Sequence, residues 1–380
     1  MKRNNYTKMK LNITVLPGDG IGPEVTAEAI KVLRAIAAEF NHILSFKYGL
    51  MGAEAIDATG SPLPKETLNL CKSSDAILFG AIGDPKYDND PSAKVRPEQG
   101  LLELRKSLGL FANIRPVVAY ENLLDKSPLK RENIQGTDIS IYRELTGGIY
   151  FGEKKLSEDG NTASDLCEYS RKEIERISHL AFKAAQSRKR KVTLVDKANV
   201  LESSRLWRKV VTEIGEKYED VELEFLFVDN AAMQLILNPR QFDVILTENM
   251  FGDIISDEAS VIGGSIGLLA SASIGNKYAL FEPIHGSYPQ AKNKNIANPI
   301  ASILSAAMLL DHFGLTTEAN LIREAVEKSL ELGITTPDLN SSNIEVTTSN
   351  VGDFIEDFIA NPEDSNMNFN NIHMGQSTII

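Results

Sequence analysis

The chain has 380 residues, which is enough for two ordinary domains. Apolar residues make up 42% and charged residues 24% of it, and these fractions are typical of globular proteins rather than of fibrous or disordered chains. The 40 Lys and Arg residues against 52 Asp and Glu give a formal net charge of −12, which disfavours a nucleic-acid-binding module because phosphate backbones repel acidic surfaces.

Cysteine content and hydropathy bear on the cellular compartment. Cys71 and Cys167 are too few for a disulfide framework and lack CxxC spacing, so we expect a reducing, cytoplasmic environment. No apolar stretch of signal-peptide length follows the basic start, and no run approaches the ~18–20 apolar residues of a membrane helix. The Asn-rich tail from Asn361 is expected to be poorly ordered.

Strand and helix patterns alternate along the first part of the chain. The segment 83–97 is rich in Pro, Asp and Asn and predicts a surface loop near a ligand. The periodicity predicts strands at 11–16, 43–48 and 76–79 and helices at 25–40, 64–70 and 98–108.

The middle and last parts predict a second α/β unit built into the first. Residues 153–169 are polar and suggest an exposed arm, and the basic run 188–191 is typical of a solvated helix end. The patterns predict strands at 114–119, 138–142, 147–152, 191–195, 222–228 and 278–281 and helices at 170–187, 203–218, 230–237, 299–313 and 317–332.

A glycine loop, residues 18–24, lies between the first strand and the first helix, where dinucleotide loops occur. Pro23 breaks the GxGxxG pattern, so a conventional Rossmann fingerprint is absent. A tight turn with proline starting the helix explains the loop equally well.

An acidic set predicts a divalent-cation site. Asp253 and Asp257 are four residues apart on a predicted helix, so they share one face, and Asp229 follows a predicted strand. Hard carboxylates suit Mg²⁺ or Mn²⁺. The alternative is a solvated acidic helix face.

Three arginines near element ends suit a substrate with two carboxylates. Arg105 ends a helix, Arg115 is expected to open a strand, and Arg143 ends another strand. Arginine binds carboxylates bidentately and stays charged at any working pH. Surface salt bridges are the alternative for each of them.

Lys197 and Tyr150 are candidates for proton transfer. Lys197 follows a predicted strand, where burial and nearby cations can lower a lysine pKa enough for a general base. Tyr150, between Gly148 and Gly152, is a possible acid partner. A surface lysine and a packed aromatic are the alternatives.

Together these motifs identify a family. The segments 16–24, 142–150, 195–200, 247–257, 282–287 and 296–299 resemble the β-decarboxylating dehydrogenases, which act on isopropylmalate, isocitrate, homoisocitrate, tartrate or malate. The resemblance covers about residues 10–360. It implies a two-domain α/β fold of the isopropylmalate-dehydrogenase type, with a cofactor site that is not of the Rossmann type.

The resemblance also implies a domain layout and residue roles. Residues 1–110 and 264–380 would form a discontinuous cofactor-binding domain, and 111–263 an inserted domain for dimerisation, substrate and metal, with an arm near 145–170. A homodimer is implied, with Lys197 and Asp229 reaching into the partner's site. The implied substrate residues are Arg105, Arg115, Arg143 and Asp229, the metal residues are Asp229, Asp253 and Asp257, and the base and acid are Lys197 and Tyr150.

The predicted helix at 98–108 indicates which substrate the protein accepts. Isocitrate enzymes carry serine and asparagine there, whereas Leu101 and Leu102 would favour an isopropyl group and reject a third carboxylate. We therefore expect oxidative decarboxylation of 3-isopropylmalate to 4-methyl-2-oxopentanoate in leucine biosynthesis. A family member acting on malate, tartrate or isocitrate is the alternative, and a non-catalytic scaffold that kept the fold is a more distant one.

The resemblance implies NAD as cofactor, with one departure. NAD-dependent relatives carry aspartate where this chain has Gln290, and the Lys and Tyr of NADP enzymes are also absent. Gln290 is neutral and does not repel a 2′-phosphate, while Lys292 and Lys294 nearby could loosen selectivity. Glu98 is also expected beside the substrate. The implied cofactor residues are Gly83, Glu98, His285, Gly286, Ser287, Gln290 and Asn298.

Overall fold

The computed structural model describes residues 8–88, 95–339 and 345–361. The start of the chain, six residues of the expected ligand loop and the tail beyond Asn361 lie outside the described residues. Within them, no helix is long and apolar enough to cross a membrane.

Strands and helices alternate along most of the described chain. The strands are β1 (Lys10–Gly18), β2 (Ile43–Tyr48), β3 (Ala76–Ala81), β4 (Leu110–Val118), β5 (Asp138–Glu144), β6 (Lys154–Leu156), β7 (Ala163–Asp165), β8 (Lys191–Asp196), β9 (Glu222–Phe227), β10 (Val244–Thr247), β11 (Ala270–Gly275) and β12 (Ala279–Pro283). The helices are α1 (Gly22–Glu39), α2 (Ala53–Thr59), α3 (Lys65–Lys72), α4 (Pro85–Asp88), α5 (Pro97–Leu108), α6 (Arg131–Ile134), α7 (Arg171–Gln186), α8 (Glu202–Gly215), α9 (Val228–Leu237), α10 (Asn249–Ser260), α11 (Ile300–His312), α12 (Thr316–Glu331) and α13 (Thr348–Ala360).

The first of two units consists of residues 1–101 and 281–380. Its strands follow the order β2-β1-β3-β12, and β1 is parallel to both β2 and β3. All residues of β3 are buried, as expected for a central parallel strand. Helix α1 has Pro23 in its first turn and buries an apolar face that includes Val25 and Val32.

The second unit, residues 102–280, contains the strand order β11-β4-β5-β10-β8-β9. Strand β10 is parallel to β5 and β8, β8 is parallel to β9, and β4 is antiparallel to β5 and β11. The carboxyl ends of the four parallel strands therefore meet at one edge of the sheet. Ligands bind at such an edge in open α/β sheets.

The two faces of this sheet carry separate hydrophobic cores. Val244 and Leu246 of β10 lie in a cluster with residues of α7 and α8, whereas Ile245 lies in a cluster with residues of α9 and α10. The alternation follows from the pleat, because successive side chains of a strand point to opposite faces. Helices therefore cover both faces, and the expected α/β class is confirmed.

Several expected boundaries were wrong around the glycine-rich middle of the chain. Residues 148–150 form a 3-10 helix and not a strand, and Gly148 has a φ of +72° that a strand does not accommodate. Strand β4 begins at Leu110, so Arg115 lies inside it and does not open it. The expected arm contains an exposed antiparallel pair of short strands, β6 and β7.

Elements that the sequence pattern did not predict include strands β10 and β11 and helices α2 and α13. The sequence of β11, Ala-Ser-Ala-Ser-Ile-Gly, has little apolar contrast, yet Ser271 and Ser273 are buried. Their hydroxyls lie within 2.9 and 3.4 Å of the amide nitrogen of Asn113. Polar pairing across the sheet therefore stabilises a strand that a hydrophobic pattern does not reveal.

The basic run 188–191 is not simply a solvated helix end. Arg188 donates from Nε to Asp243 Oδ1 at 2.8 Å and from Nη2 to Asp138 Oδ1 at 2.9 Å. Asp243 is buried, so its charge needs this partner. Arg188 thus fastens the start of β5 to the segment before β10.

Candidate active site

Helix α10 places two carboxylates one turn apart. The guanidinium of Arg115 lies 2.6 Å from Asp257 Oδ1 and 3.8 Å from Asp253 Oδ1. The two aspartates thus share one helix face, and a cation lies against both. Arg115 Nη1 also donates to Ser256 Oγ at 2.7 Å, which fixes the guanidinium against the helix.

Arg143 reaches the same carboxylate from the end of β5. Its side chain is buried and forms an ion pair with Asp253. Burial lowers the pKa of Arg143 to about 10, and the like charges of Arg115 and Arg105 act in the same direction. Arg143 nevertheless remains a cation at neutral pH.

Tyr150 completes this cluster from the 3-10 turn. Its hydroxyl donates to Asp253 Oδ2 at 2.8 Å, and the Arg143 guanidinium lies 5.7 Å from its ring centre. Burial and the hydrogen bond to Asp253 raise the pKa of Tyr150 above the ordinary tyrosine value. The phenol therefore keeps its proton at neutral pH and can donate it.

Two buried asparagines hold the arginines in place, and the sequence analysis did not single them out. Asn249 Oδ1 accepts from Arg143 Nε at 3.1 Å and Nη2 at 2.8 Å, and Asn113 Oδ1 accepts from Arg115 Nε at 2.8 Å. Gly252 lets α10 approach Arg143, because a Cβ there would lie 2.6 Å from Arg143 Cγ. Asn249 lies in segment 247–257, one of the segments that resemble the family, and this resemblance could have indicated it.

Lys197 and Asp229 form a second cluster, at the ends of β8 and β9. Lys197 Nζ lies 2.8 Å from Asp229 Oδ2, and this partner lowers the pKa of Asp229. The backbone N–H of Lys197 donates to Ser204 Oγ at 3.0 Å. Asp229 lies in the first turn of α9.

Helix α5 carries the residues expected to select the substrate. Leu101 is half-buried, and Leu102 is 51% exposed, so Leu102 is not a core residue in this chain. Arg105 lies in the last turn of the helix, close enough for its charge to lower the pKa of Arg143.

In the first unit, the buried carboxylate of Asp19 links three loops. Its oxygens accept from the backbone N–H groups of Ala53 and Gly83 at 2.9 Å and of Glu54 at 3.1 Å. From the sequence alone, Asp19 is only one residue of the glycine loop. The hydrogen bonds show that this loop supports Gly83, one of the expected cofactor residues.

The glycine loop also supports the segment around Ser287. The Ile21 N–H donates to the Ser287 carbonyl at 2.8 Å. Gly83 has a φ of +117°, and a Cβ on it would lie 3.0 Å from Glu98 Oε1 and 3.6 Å from Ser287 Oγ. Three of the expected cofactor residues are therefore neighbours.

The remaining expected cofactor residues flank this group in sequence. His285 Nδ1 lies 2.9 Å from the Gly286 carbonyl, while its buried Nε2 has no hydrogen-bond partner in the described structure. Burial lowers the pKa of His285. Asn298 caps the start of α11 by accepting from the Ile300 N–H at 3.0 Å, and Gln290 is exposed.

The donor sets fit the two implied groups. Asp253 and Asp257 offer hard oxygens on one face, which suits Mg²⁺ or Mn²⁺. The unpartnered buried Nε2 of His285 offers a polar contact to a nucleotide. Among residues 8–88, 95–339 and 345–361, no group of three or more His, Cys, Asp or Glu is positioned to hold a metal.

Known proteins resemble this chain over nearly its whole length. Residues 12–355 match the family described as isocitrate/isopropylmalate dehydrogenase. A 3-isopropylmalate dehydrogenase of Bacteroides fragilis is 53% identical over 352 residues, covering 92% of this chain and 99% of the relative. The enzyme of the same name from Bacillus subtilis is 55% identical over 340 residues, covering 88% and 93%.

Solved structures of the same family are similar to this chain as well. The crystal structure of isocitrate dehydrogenase from Methylococcus capsulatus superposes with a TM-score of 0.80 at 34% identity, covering 92% of this chain and 99% of that one. Family match and sequence identity agree with the motifs, so the chain belongs to the isocitrate/isopropylmalate dehydrogenase family.

Proposed function

We propose that this protein oxidises 3-isopropylmalate with NAD and releases CO₂, forming 4-methyl-2-oxopentanoate for leucine biosynthesis. The observation that carries the proposal is the cluster in which Arg115, Arg143 and Tyr150 surround Asp253. Two guanidiniums beside a carboxylate pair suit a dianionic substrate held next to a cation. The names of the curated relatives support the choice of substrate.

Arg115, Arg143 and Arg105 would bind the two carboxylates of the substrate. Asp253 forms an ion pair with Arg143, and Asp257 forms one with Arg115. A substrate carboxylate would replace these contacts with charge-assisted hydrogen bonds of similar geometry. Mg²⁺ or Mn²⁺ on the aspartates would polarise the 2-hydroxyl and stabilise negative charge as CO₂ leaves.

Lys197 would accept the hydroxyl proton, and Tyr150 would protonate the carbon that loses CO₂. Lys197 Nζ lies 2.8 Å from Asp229 Oδ2, so the proposed base stands beside one of the proposed metal carboxylates. Tyr150 suits the acid role because its raised pKa retains the proton at neutral pH.

NAD would bind in the first unit at Gly83, Glu98, Ser287 and their neighbours. Lys292 Nζ lies 3.3 Å from Glu54 Oε1, so the nearest lysine to Gln290 in sequence already has a carboxylate partner. A 2′-phosphate would have to compete with Glu54 for that charge. We therefore propose NAD rather than NADP.

A homodimer would complete the site. Helices α9 and α10 pack together and expose large apolar side chains to solvent, which is typical of an interaction surface. The partner would supply Lys197 and Asp229, so that a third carboxylate joins Asp253 and Asp257. The exposed apolar residues are Met233, Ile236 and Leu237 of α9 and Ile254 of α10, with Val261 directly after α10.

The two free cysteines suit the cytoplasm.

The test is reduction of NAD or NADP by the purified protein with Mg²⁺, comparing 3-isopropylmalate, isocitrate and malate. We expect the highest kcat/KM with 3-isopropylmalate and NAD. Preference for isocitrate or malate would overturn the substrate assignment at Leu101 and Leu102. Absence of activity with all three acids would contradict the enzymatic role.

A further inference from the structure

The side-chain amide of Asn249 contacts the Arg143 guanidinium through nitrogens other than the one that faces Asp253. Asn249 is fully buried, and its Oδ1 accepts from both Nε and Nη2 of Arg143, at 3.1 and 2.8 Å. Its Nδ2 donates to the Gly147 carbonyl at 3.1 Å, which prevents the amide from turning. The remaining nitrogen, Nη1, is the one that meets Asp253.

Arg115 is held in the same way. Asn113 is 1% exposed, and its Oδ1 accepts from Arg115 Nε at 2.8 Å. Its Nδ2 donates to Ser271 Oγ at 2.9 Å. Both arginines thus use Nε to contact a buried amide oxygen and direct Nη1 to α10.

Three other arginines of the second unit rest on buried carboxylates instead. Each of these carboxylates is at most 2% exposed, so it neutralises its arginine inside the protein. The pairs are Arg176 with Glu144, Arg188 with Asp243 and Arg208 with Asp196.

The difference matters because an amide and a carboxylate accept hydrogen bonds with nearly the same geometry but differ by a full charge. An aspartate behind Arg115 or Arg143 would orient the guanidinium equally well. It would also cancel the charge that attracts a substrate carboxylate. An asparagine orients the guanidinium and leaves its charge available.

We infer that Asn113 and Asn249 are positioning residues for substrate binding, which aim Arg115 and Arg143 without neutralising them. The inference rests on the proposed function, since it takes these arginines to bind the substrate carboxylates. Both asparagines act through the arginines.

The decisive variant is Asn113→Asp, because the Ser271 hydroxyl, 2.9 Å from Asn113 Nδ2, can donate to a carboxylate as well as accept from an amide. We expect the KM for 3-isopropylmalate and its Kd by calorimetry to rise about tenfold, as for a weakened charge-assisted hydrogen bond. The KM for NAD should stay within about twofold, because the cofactor residues lie in the first unit. Asn249→Asp should act in the same direction, with an added loss of stability from repulsion at the Gly147 carbonyl.

The matched control is Asp243→Asn, which makes the reverse change behind the structural Arg188. It should lower the midpoint of urea unfolding and leave the KM for 3-isopropylmalate within about twofold.

Folded Asn113→Asp protein that binds 3-isopropylmalate as tightly as wild type would overturn the inference. An equal loss of affinity for NAD and for 3-isopropylmalate would overturn it as well. If the Asn113 variant does not fold, its Asn113→Ser counterpart should still raise the KM for 3-isopropylmalate, and an unchanged KM there would also overturn it. Wild-type protein that does not bind 3-isopropylmalate would instead refute the proposed function.

Discussion

The ammonium group of Lys197 lies 2.8 Å from Asp229, while Asp253 is held by Arg143 and Tyr150 in a separate cluster. Strand β10 stands between β5 and β8, the strands that carry Arg143 and precede Lys197. Neighbouring strands are about 4.8 Å apart, so the two clusters start from backbones roughly 10 Å apart. Lys197 and Asp253 of one active site can therefore come from different chains, as the proposed homodimer requires.

A mixture of two inactive variants should regain activity. Lys197→Ala removes the base from one cluster, and Asp253→Asn removes a carboxylate from the other. If each site takes Lys197 from the partner, a heterodimer has one site with both residues intact, and random assembly should restore about a quarter of wild-type activity. Turnover is measured after the two proteins are unfolded and refolded together. Continued inactivity of a refolded dimeric mixture would show that both residues act within one chain.

Tyr150→Phe should lower kcat by ~10²–10⁴, the usual contribution of a positioned general acid. The free energy of unfolding should hardly change, because Tyr150 is 44% exposed. Tyr48→Phe is the matched control, since Tyr48 is exposed on β2 and should leave kcat at the wild-type value. A Tyr150→Phe enzyme with wild-type kcat would remove Tyr150 from the reaction.

Leu102→Ser should lower kcat/KM for 3-isopropylmalate by ~10–200-fold, which is the range for lost contacts in an apolar pocket. Leu101→Ser should act in the same direction. Leu156→Ser, on the exposed arm strand β6, is the control and should have no effect on selectivity. Unchanged ratios of kcat/KM for 3-isopropylmalate and malate would assign both leucines to packing alone.

Glu248, immediately before α10, predicts a pH dependence of stability. Burial raises its pKa from 4.5 to about 7. Its contribution is therefore fully present below pH 4.5 and is lost as pH rises to about 7, where the folded state must hold a buried carboxylate. The shift corresponds to roughly 3 kcal/mol.

Glu248→Gln should consequently gain stability relative to wild type as pH rises through this window. Urea unfolding across pH 4.5–8 measures the difference, and the exposed substitution Glu331→Gln serves as control. A pH-independent difference between Glu248→Gln and wild type would contradict the account.

Much of the architecture follows from the sequence because its parallel strands are short and apolar. The pattern predicted β2 at its observed bounds and α7 within one residue of them, since α7 begins at a capping box of Ser170 and Glu173. It missed β11, whose buried serines are stabilised by cross-strand partners that no local pattern reveals. It also misjudged the turn before Tyr150, where the positive φ of Gly148 decides the conformation.

In the candidate site, too, the sequence predicted the local features and missed those that depend on contacts between distant residues. The spacing of Asp253 and Asp257 predicted a shared face, because helical geometry is local. Nothing local indicated that Asn249 would lie behind Arg143, or that Asp19 would join three loops of the first unit. These contacts depend on tertiary packing.

The most direct test of the central claim is the stoichiometry of the reaction. Purified protein with Mg²⁺, NAD and a limiting amount of 3-isopropylmalate should yield equal amounts of NADH, CO₂ and 4-methyl-2-oxopentanoate, and the Lys197→Ala variant should yield almost none. NADH formed without an equal amount of CO₂ would contradict decarboxylation. Failure to consume 3-isopropylmalate would contradict the proposed function.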